Sequence, residues 1–258
     1  MTAALAQTRS MTLRHLRELW RQPWYVAITL VQPVIWLLLF GALFKRVVEI
    51  PGFGGGRYVD FLTPGIVVMT ALFTAGWSGM GVIEDLNRGV MDRFLVSPVS
   101  RGSLIAGRLG QLAITIAIQS LVVVGLGLAV GARFPGGAVG VVVLVVCSVL
   151  LAFSVGALSI GLGLVARQEE TLIGAVQLVV LPATFLSAGL MRQSLAPDWV
   201  QSISRFNPVD WAVDAGRGAL GSSVDWGLVA SRAGLLALLA VVCSWVATRA
   251  FRTYQASV

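Results

Sequence analysis

Five stretches of this 258-residue chain carry no charged side chain over more than 20 residues: 22–44, 61–83, 109–132, 134–166 and 171–191. A sixth runs from about Trp226 to Thr248, with only Arg232 near its start, where a long side chain can reach the headgroups. About 20 apolar residues in helical form cross a bilayer. In lipid every backbone polar group must be paired within the segment, so such stretches become helices. Only 12% of the residues are charged and 57% are hydrophobic, against about 25% charged in soluble domains. The expectation is a single all-α integral membrane domain of six transmembrane helices over residues 1–258, with both termini on one side.

Eleven basic residues fall on the N-terminal side and eight on the other, which predicts cytoplasmic termini in a plasma membrane. Eighteen of the nineteen basic residues are arginine, a bias suited to a GC-rich bacterial genome. Their excess over twelve acids suits lipid headgroups and gives no reason to expect nucleic acid. Residues 10–22 place Leu13, Leu16, Leu19 and Trp20 on one helical face and Arg14, Arg17, Glu18 and Arg21 on the other, the pattern of an interfacial helix. No cleavable signal peptide is expected. Residues 51–56, PGFGGG, read as an irregular outer loop. The long polar segment after residue 191 reads as outer, with Trp199, Phe206 and Trp211 at headgroup level and Asp214 and Arg217 spaced to pair on one helix face.

Catalytic machinery is not visible. The lone histidine, His15, has no ligand-type neighbours, so no metal site and no catalytic residue is expected. Cys147 and Cys243 each lie in an apolar run and read as unlinked buried thiols. A P-loop needs a lysine behind a glycine loop, and Lys45 in ALFKRV has none. Active transport would therefore draw its energy from a separate subunit. The charge-free windows hold only amides and hydroxyls as polar groups, among them Thr29, Gln32, Thr74, Gln111, Gln119 and Gln177. Thr29, Gln32, Thr74, Gln119 and Gln177 are the candidates for a substrate path. A proton- or sodium-coupled carrier would be expected to bury a carboxylate there.

The stretch EDLNRGVMDRFLVSPVSR, residues 84–101, concentrates three acids and three arginines between two spans. Val82, Leu86, Val90 and Phe94 recur every fourth residue, with Glu84, Asp85, Arg88, Asp92 and Arg93 on the remaining surface. This predicts an amphipathic cytoplasmic helix over 84–96, ended by Ser97–Pro98. Its balanced charge suits a protein partner better than a lipid surface. Gly89, a weak helix former, points to a bend or a close backbone approach.

The run EDLNRGVMDRFLVSPVSRGSLIAGRL resembles the core of ABC type-2 transporter permeases, with its S-P-V-S-R and G-[KR]-L steps. Residues 185–220, FLSAGLMRQSLAPDWVQSISRFNPVDWAVDAGRGAL, are similar to that family's outer segment, with its N-P-hydrophobe and D-x-x-R steps. Within that family the chain looks like the permeases of daunorubicin-resistance-type exporters. The resemblance implies two permeases, identical or homologous, with two cytoplasmic ATPase subunits that carry ATP and Mg. It makes 10–22 a connecting helix and 84–96 a coupling helix. Glu84, Asp85, Arg88, Gly89, Asp92, Arg93, Phe94 and Leu95 would then face the ATPase, with Glu169 and Glu170 as a second contact. Residues 192–218 would form outer re-entrant or surface helices that gate the path through Trp199, Phe206, Asn207, Pro208, Trp211, Asp214 and Arg217. Amphipathic drugs or lipids are the expected cargo. A polysaccharide exporter, a stand-alone carrier or channel, and a membrane enzyme or assembly factor are the alternatives.

Overall fold

The computed structural model describes residues 23–50, 56–89 and 101–256. The interfacial helix expected over 10–22 lies outside them. The described residues fold into helices α1 (Pro23–Leu43), α2 (Tyr58–Gly76), α3 (Met80–Asn87), α4 (Arg101–Ala129) and α5 (Gly137–Ala166), then α6 (Glu169–Phe185), α7 (Asp198–Ser204), α8 (Pro208–Leu220) and α9 (Trp226–Ala256). No strand occurs among them.

Among the described residues, four segments are long and apolar enough to cross a membrane: Tyr58–Asn87, Ile105–Ala129, Gly137–Ala166 and Trp226–Arg249. The other two expected spans are also helical, α1 over 21 residues. The described apolar part of α1 is Ile28–Leu43, and α6 has 17 residues and opens on Glu169 and Glu170. The outward faces of α4, α5 and α9 carry exposed Ile118, Leu121, Val142, Leu238 and Val241. An apolar surface of that extent requires lipid as its solvent.

Helix α5 is the hub and packs on α2, α4, α6, α8 and α9. Small residues make this possible. A Cβ on Gly140 would lie 2.5 Å from the Ala219 carbonyl oxygen of α8, and one on Gly163 2.8 Å from that of Gly79. Where no hydrophobic force separates helix from lipid, such close backbone approach carries the packing. Ser159 and Gly163 thus pack within the chain, against Gly79, and Gly127 packs on Thr63. Leu62, Leu144, Leu151 and Leu172 fill the space between the helices with no exposed surface. Cys147 and Cys243 are buried and unlinked.

The second span is not a continuous α-helix. A 3-10 turn at Trp77–Gly79 separates α2 from α3. Helix α5 holds the break with side-chain hydrogen bonds. Ser159 Oγ donates to the Gly76 carbonyl at 2.5 Å and accepts from Gly79 N at 3.0 Å, while Ser78 Oγ donates to Ala75 O and Gly156 O. A 3-10 interruption inside a helix is a common place for a hinge.

The helix expected over 84–96 is corrected at its start. Glu84 to Asn87 are the last turn of α3, continuous with the membrane span, and the helix ends there. Gly89 adopts φ +64° and its N–H returns to the Leu86 carbonyl. A left-handed glycine just past the last turn is a helix stop. The apolar four-residue period ran through Gly89, but the backbone does not. Residues 90–100, with Asp92, Arg93, Phe94 and Leu95, lie outside the described residues.

Candidate translocation cleft and its cap

A cleft of about 360 Å³ opens between α1 and α2. Thr29, Gln32 and Trp36 line one wall, and Phe73, Thr74 and Trp77 the other. Gln119 of α4, 1% exposed, stands behind them. Its Nε2 donates to Thr29 Oγ1 at 3.2 Å, and Thr74 Oγ1 donates to its Oε1 at 3.1 Å. One amide therefore ties three helices together at the cleft. Four of the five candidate path residues converge here. Gln177 does not: it lies exposed on α6, beside exposed Leu178 and Val179. The cleft is walled by rings, aliphatic groups and a few hydroxyls and amides, and none of its lining residues is ionisable.

At the end of the bundle that holds Tyr58 and Leu220, residues 186–220 fold over α2 as a cap. Arg217 is its centre. Its Nη1 donates to the Ala188 carbonyl at 2.7 Å, its Nη2 to Gly189 O at 3.0 Å and Phe61 O at 2.9 Å, and its Nε to Phe61 O at 3.2 Å. The guanidinium stands 3.4 Å over the Phe61 ring centroid. A planar fork with five donors suits this task, and an ammonium would not. The loop it holds touches α2 backbone to backbone, since a Cβ on Gly65 would lie 2.1 Å from Gly189 O. Tyr58 Oη adds a bond to Leu190 O at 2.8 Å.

Asp210, 1% exposed, holds the same loop from the other side. It accepts from Ala188 N at 2.5 Å and from Gln193 Nε2, which also donates to Ser204 Oγ. Burial raises its pKa to about 6, above the ordinary carboxylate value, against the lowering effect of the Ala188 bond. Asn207 caps α8, its Oδ1 accepting from Val209 N, while its Nδ2 reaches Ala183 O of α6 at 2.7 Å. Pro208 follows at the first helical position, where its missing N–H costs nothing.

The Asp214–Arg217 pair expected from spacing is not what forms. Asp214 pairs with Arg232 of α9 at 3.6 Å, because Arg217 is turned to the carbonyls. Trp211 Nε1 donates to Arg205 O, and Trp199 and Phe206 sit 62% and 81% exposed on the rim. The sequence reading missed Asp210, Gln193, Ser204 and Tyr58. For Asp210 a signal existed: 210, 214 and 217 share one face of α8.

At the opposite end, Glu84 and Arg88 form an exposed i,i+4 pair at 2.5 Å. Asp85, expected to face the ATPase, instead turns inward to Arg108 of α4, which also donates to Gly81 O at 2.9 Å. Glu169 and Glu170 are exposed in the first turn of α6, after Arg167 ends α5 at φ 55°.

The pattern of the ABC-2 type transporter family matches residues 6–220. The chain belongs to that family. The daunorubicin resistance ABC transporter permease protein DrrB1 of Streptomyces coeruleorubidus is 31% identical over 92% of this chain and 86% of its own. The transport permease ycf38 of Pyropia yezoensis is 28% identical over 86% of this chain and 76% of its own. DrrC of Mycobacterium tuberculosis, named for doxorubicin resistance, is 26% identical over 93% of this chain and 84% of its own. As an ABC-2 permease the chain is the membrane subunit of an ABC transporter, whose ATPase is a separate subunit.

Proposed function

We propose that this permease moves amphipathic, drug-like or lipid molecules outward through the α1–α2 cleft, powered by ATP and Mg bound to cytoplasmic ATPase subunits. The observation that carries the reading is the cleft itself. Trp36, Phe73 and Trp77 offer faces to a flat apolar body, and the Gln32 amide meets its polar edge beside the Thr29 and Thr74 hydroxyls that Gln119 engages. The relatives named for daunorubicin and doxorubicin resistance agree with such cargo. A sugar polymer would also stack on rings, but it needs many polar partners, and the Thr70 hydroxyl is already committed to Ile66 O.

In this reading α1 and α6 complete six spans, both termini are cytoplasmic, and a second permease completes the path. The cap centred on Arg217 is the outer gate. The exposed Glu84, Arg88, Glu169 and Glu170 face the ATPase, together with Asp92, Arg93, Phe94 and Leu95. The 3-10 turn at Trp77–Gly79 stands between the cleft, which Trp77 lines, and α3, which leads to the ATPase-facing segment. A shift at the ATPase can be passed to the cleft at that break.

The test is ATP-dependent efflux of a fluorescent anthracycline from vesicles holding the permease and its ATPase. Phe94→Ala is expected to weaken ATPase capture, about thirtyfold for an anchor worth ~2 kcal/mol, with insertion intact. Phe73→Ala is expected to lower efflux with capture unchanged. Efflux at the wild-type rate without the ATPase would instead mean a stand-alone carrier.

A further inference from the structure

Gln119 lies in the apolar stretch Ile105–Ala129 of α4 and is 1% exposed. An amide shielded from water is costly unless its donor and acceptor are both bonded. Here both are: Nε2 donates to Thr29 Oγ1 of α1, and Oε1 accepts from Thr74 Oγ1 of α2. The two threonines line the α1–α2 cleft, and Gln119 stands behind it. Helix α1 needs such a hold. Pro33 has no N–H for the Thr29 carbonyl one turn back, so the helical ladder is interrupted at the cleft wall. Beyond that break, rings secure α1. Trp36, Phe40 and Phe44 follow one another at 5.2 and 5.4 Å, and Phe44 meets Tyr58 of α2 at 5.9 Å. On the Thr29 side of Pro33, the Gln119 bridge joins α1 to α2.

We propose that Gln119 is a positioning residue for cargo binding, which rests on the reading of the α1–α2 cleft as the cargo path. By holding Thr29 and Thr74 on one amide, Gln119 fixes how far apart the two walls stand, with Trp36 on one and Phe73 and Trp77 on the other. Ring faces grip a flat body from both sides only at van der Waals separation, so a small change in that spacing weakens the contact. Walls fixed before cargo arrives also lose less freedom when it binds. Gln119 thereby acts on affinity without touching cargo. A residue that only knitted the bundle together would change the amount of folded permease and leave the KM of the remainder alone. A residue that served the transport stroke would change kcat instead.

Initial ATP-dependent efflux rates are measured against doxorubicin concentration in vesicles that hold the permease and its ATPase. Gln119→Met keeps the length of the side chain and loses both hydrogen bonds. It is expected to raise KM about tenfold, with kcat within about twofold of wild type. In a Thr29→Val/Thr74→Val background Gln119→Met should raise KM little further, because the bridge is already gone. Should Gln119→Met not fold, Gln119→Asn, too short to reach both threonines, is read on the same terms. A KM within about twofold of wild type, whatever the kcat, overturns the proposal. So does a rise in the Thr29→Val/Thr74→Val background as large as the rise in the wild type. Phe73→Ala is the control on the cleft. If it leaves KM unchanged, the cleft is not the cargo path and the proposal falls with that reading. If Phe73→Ala raises KM and Gln119→Met does not, the cleft stands and Gln119 has no part in positioning cargo there.

Discussion

At the Arg217 end of the bundle, Arg217 and Asp210 turn inward and bond to backbone, while Arg133, Asp198 and Arg205 stay exposed. At the Glu84 end, among the described residues, Glu84, Arg88, Glu169 and Glu170 turn outward and Asp85–Arg108 is enclosed, with side chains 24% and 16% exposed against 55% and 70% for Glu84 and Arg88. Both ends carry a similar mix of acids and arginines in the sequence, so composition does not explain the difference. Neighbours do. The cap must seal irregular backbone at Leu186–Ala196, and buried carbonyls outside a helix need donors. Among the described residues, the other end closes with ordinary helix stops at Gly89 and Arg167, whose backbone N–H groups are met locally.

The strongest way to break this comparison is Arg217→Ala. It strips donors from the Phe61, Ala188 and Gly189 carbonyls at once, and each buried group left unpaired costs about 1–3 kcal/mol. Loss of about 3 kcal/mol or more is expected, seen as aggregation in size-exclusion chromatography and absence of efflux. Arg217→Lys should be only partly better. An Arg217→Ala protein as stable as wild type would mean the cap is not held from this residue.

Asp85→Asn is next. The pair lies between an exposed bridge, worth under about 1 kcal/mol, and a buried one, worth about 3–5 kcal/mol when broken. A loss of about 1–3 kcal/mol is expected in thermal unfolding. A double-mutant cycle with Arg108→Gln should return a clear coupling energy. Zero coupling would make this end uniformly solvent-facing.

The pH response of the cap is smaller and comes from Asp210. Its pKa in the fold is raised to about 6, so the folded chain binds the proton more tightly than the unfolded chain. Its contribution to stability therefore rises as pH falls from 7 toward 5, by about 1 kcal/mol, and is lost as pH rises through 6. Unfolding midpoints at the two pH values should show this in the wild type and not in Asp210→Asn. An identical pH response in Asp210→Asn would remove Asp210 from the account.

Least of all in stability are Glu84→Gln, Glu169→Gln and Glu170→Gln, each within about 0.5 kcal/mol of wild type. Their effect is expected in ATPase capture instead, measured by pull-down. A variant set that unfolds but captures normally would reverse the contrast between the ends. Gly89→Ala sharpens it from another side. With φ at +64°, alanine is strained by about 1–2 kcal/mol, so even this small change should perturb the stop after Asn87.

Much of this could be read from the chain. Charge-free windows marked every long helix, because lipid leaves helix as the only way to pair the backbone of a single span. Thr29, Thr74 and Gln119 stood out as polar groups in apolar windows, but nothing in their spacing put them on one hydrogen-bonded chain, 45 and 90 positions apart. Gln177 had the same chemistry and sits on the wrong face. Arg108 counted only as one more basic flank, and Asp85 as surface charge, because an ion pair 23 positions apart leaves no periodic trace.

The sequence by itself determined the membrane setting, the helical class, the family and the absence of a P-loop, since each rests on composition or on short contiguous motifs. The tertiary structure alone decided which polar groups meet. The break at Trp77–Gly79 depends on Ser159 of α5, 80 positions away. The role of Arg217 depends on carbonyls of Phe61 and Ala188, which any residue would supply and no pattern reveals. Backbone acceptors are the same at every position, so only the folded chain selects the ones that a guanidinium will hold.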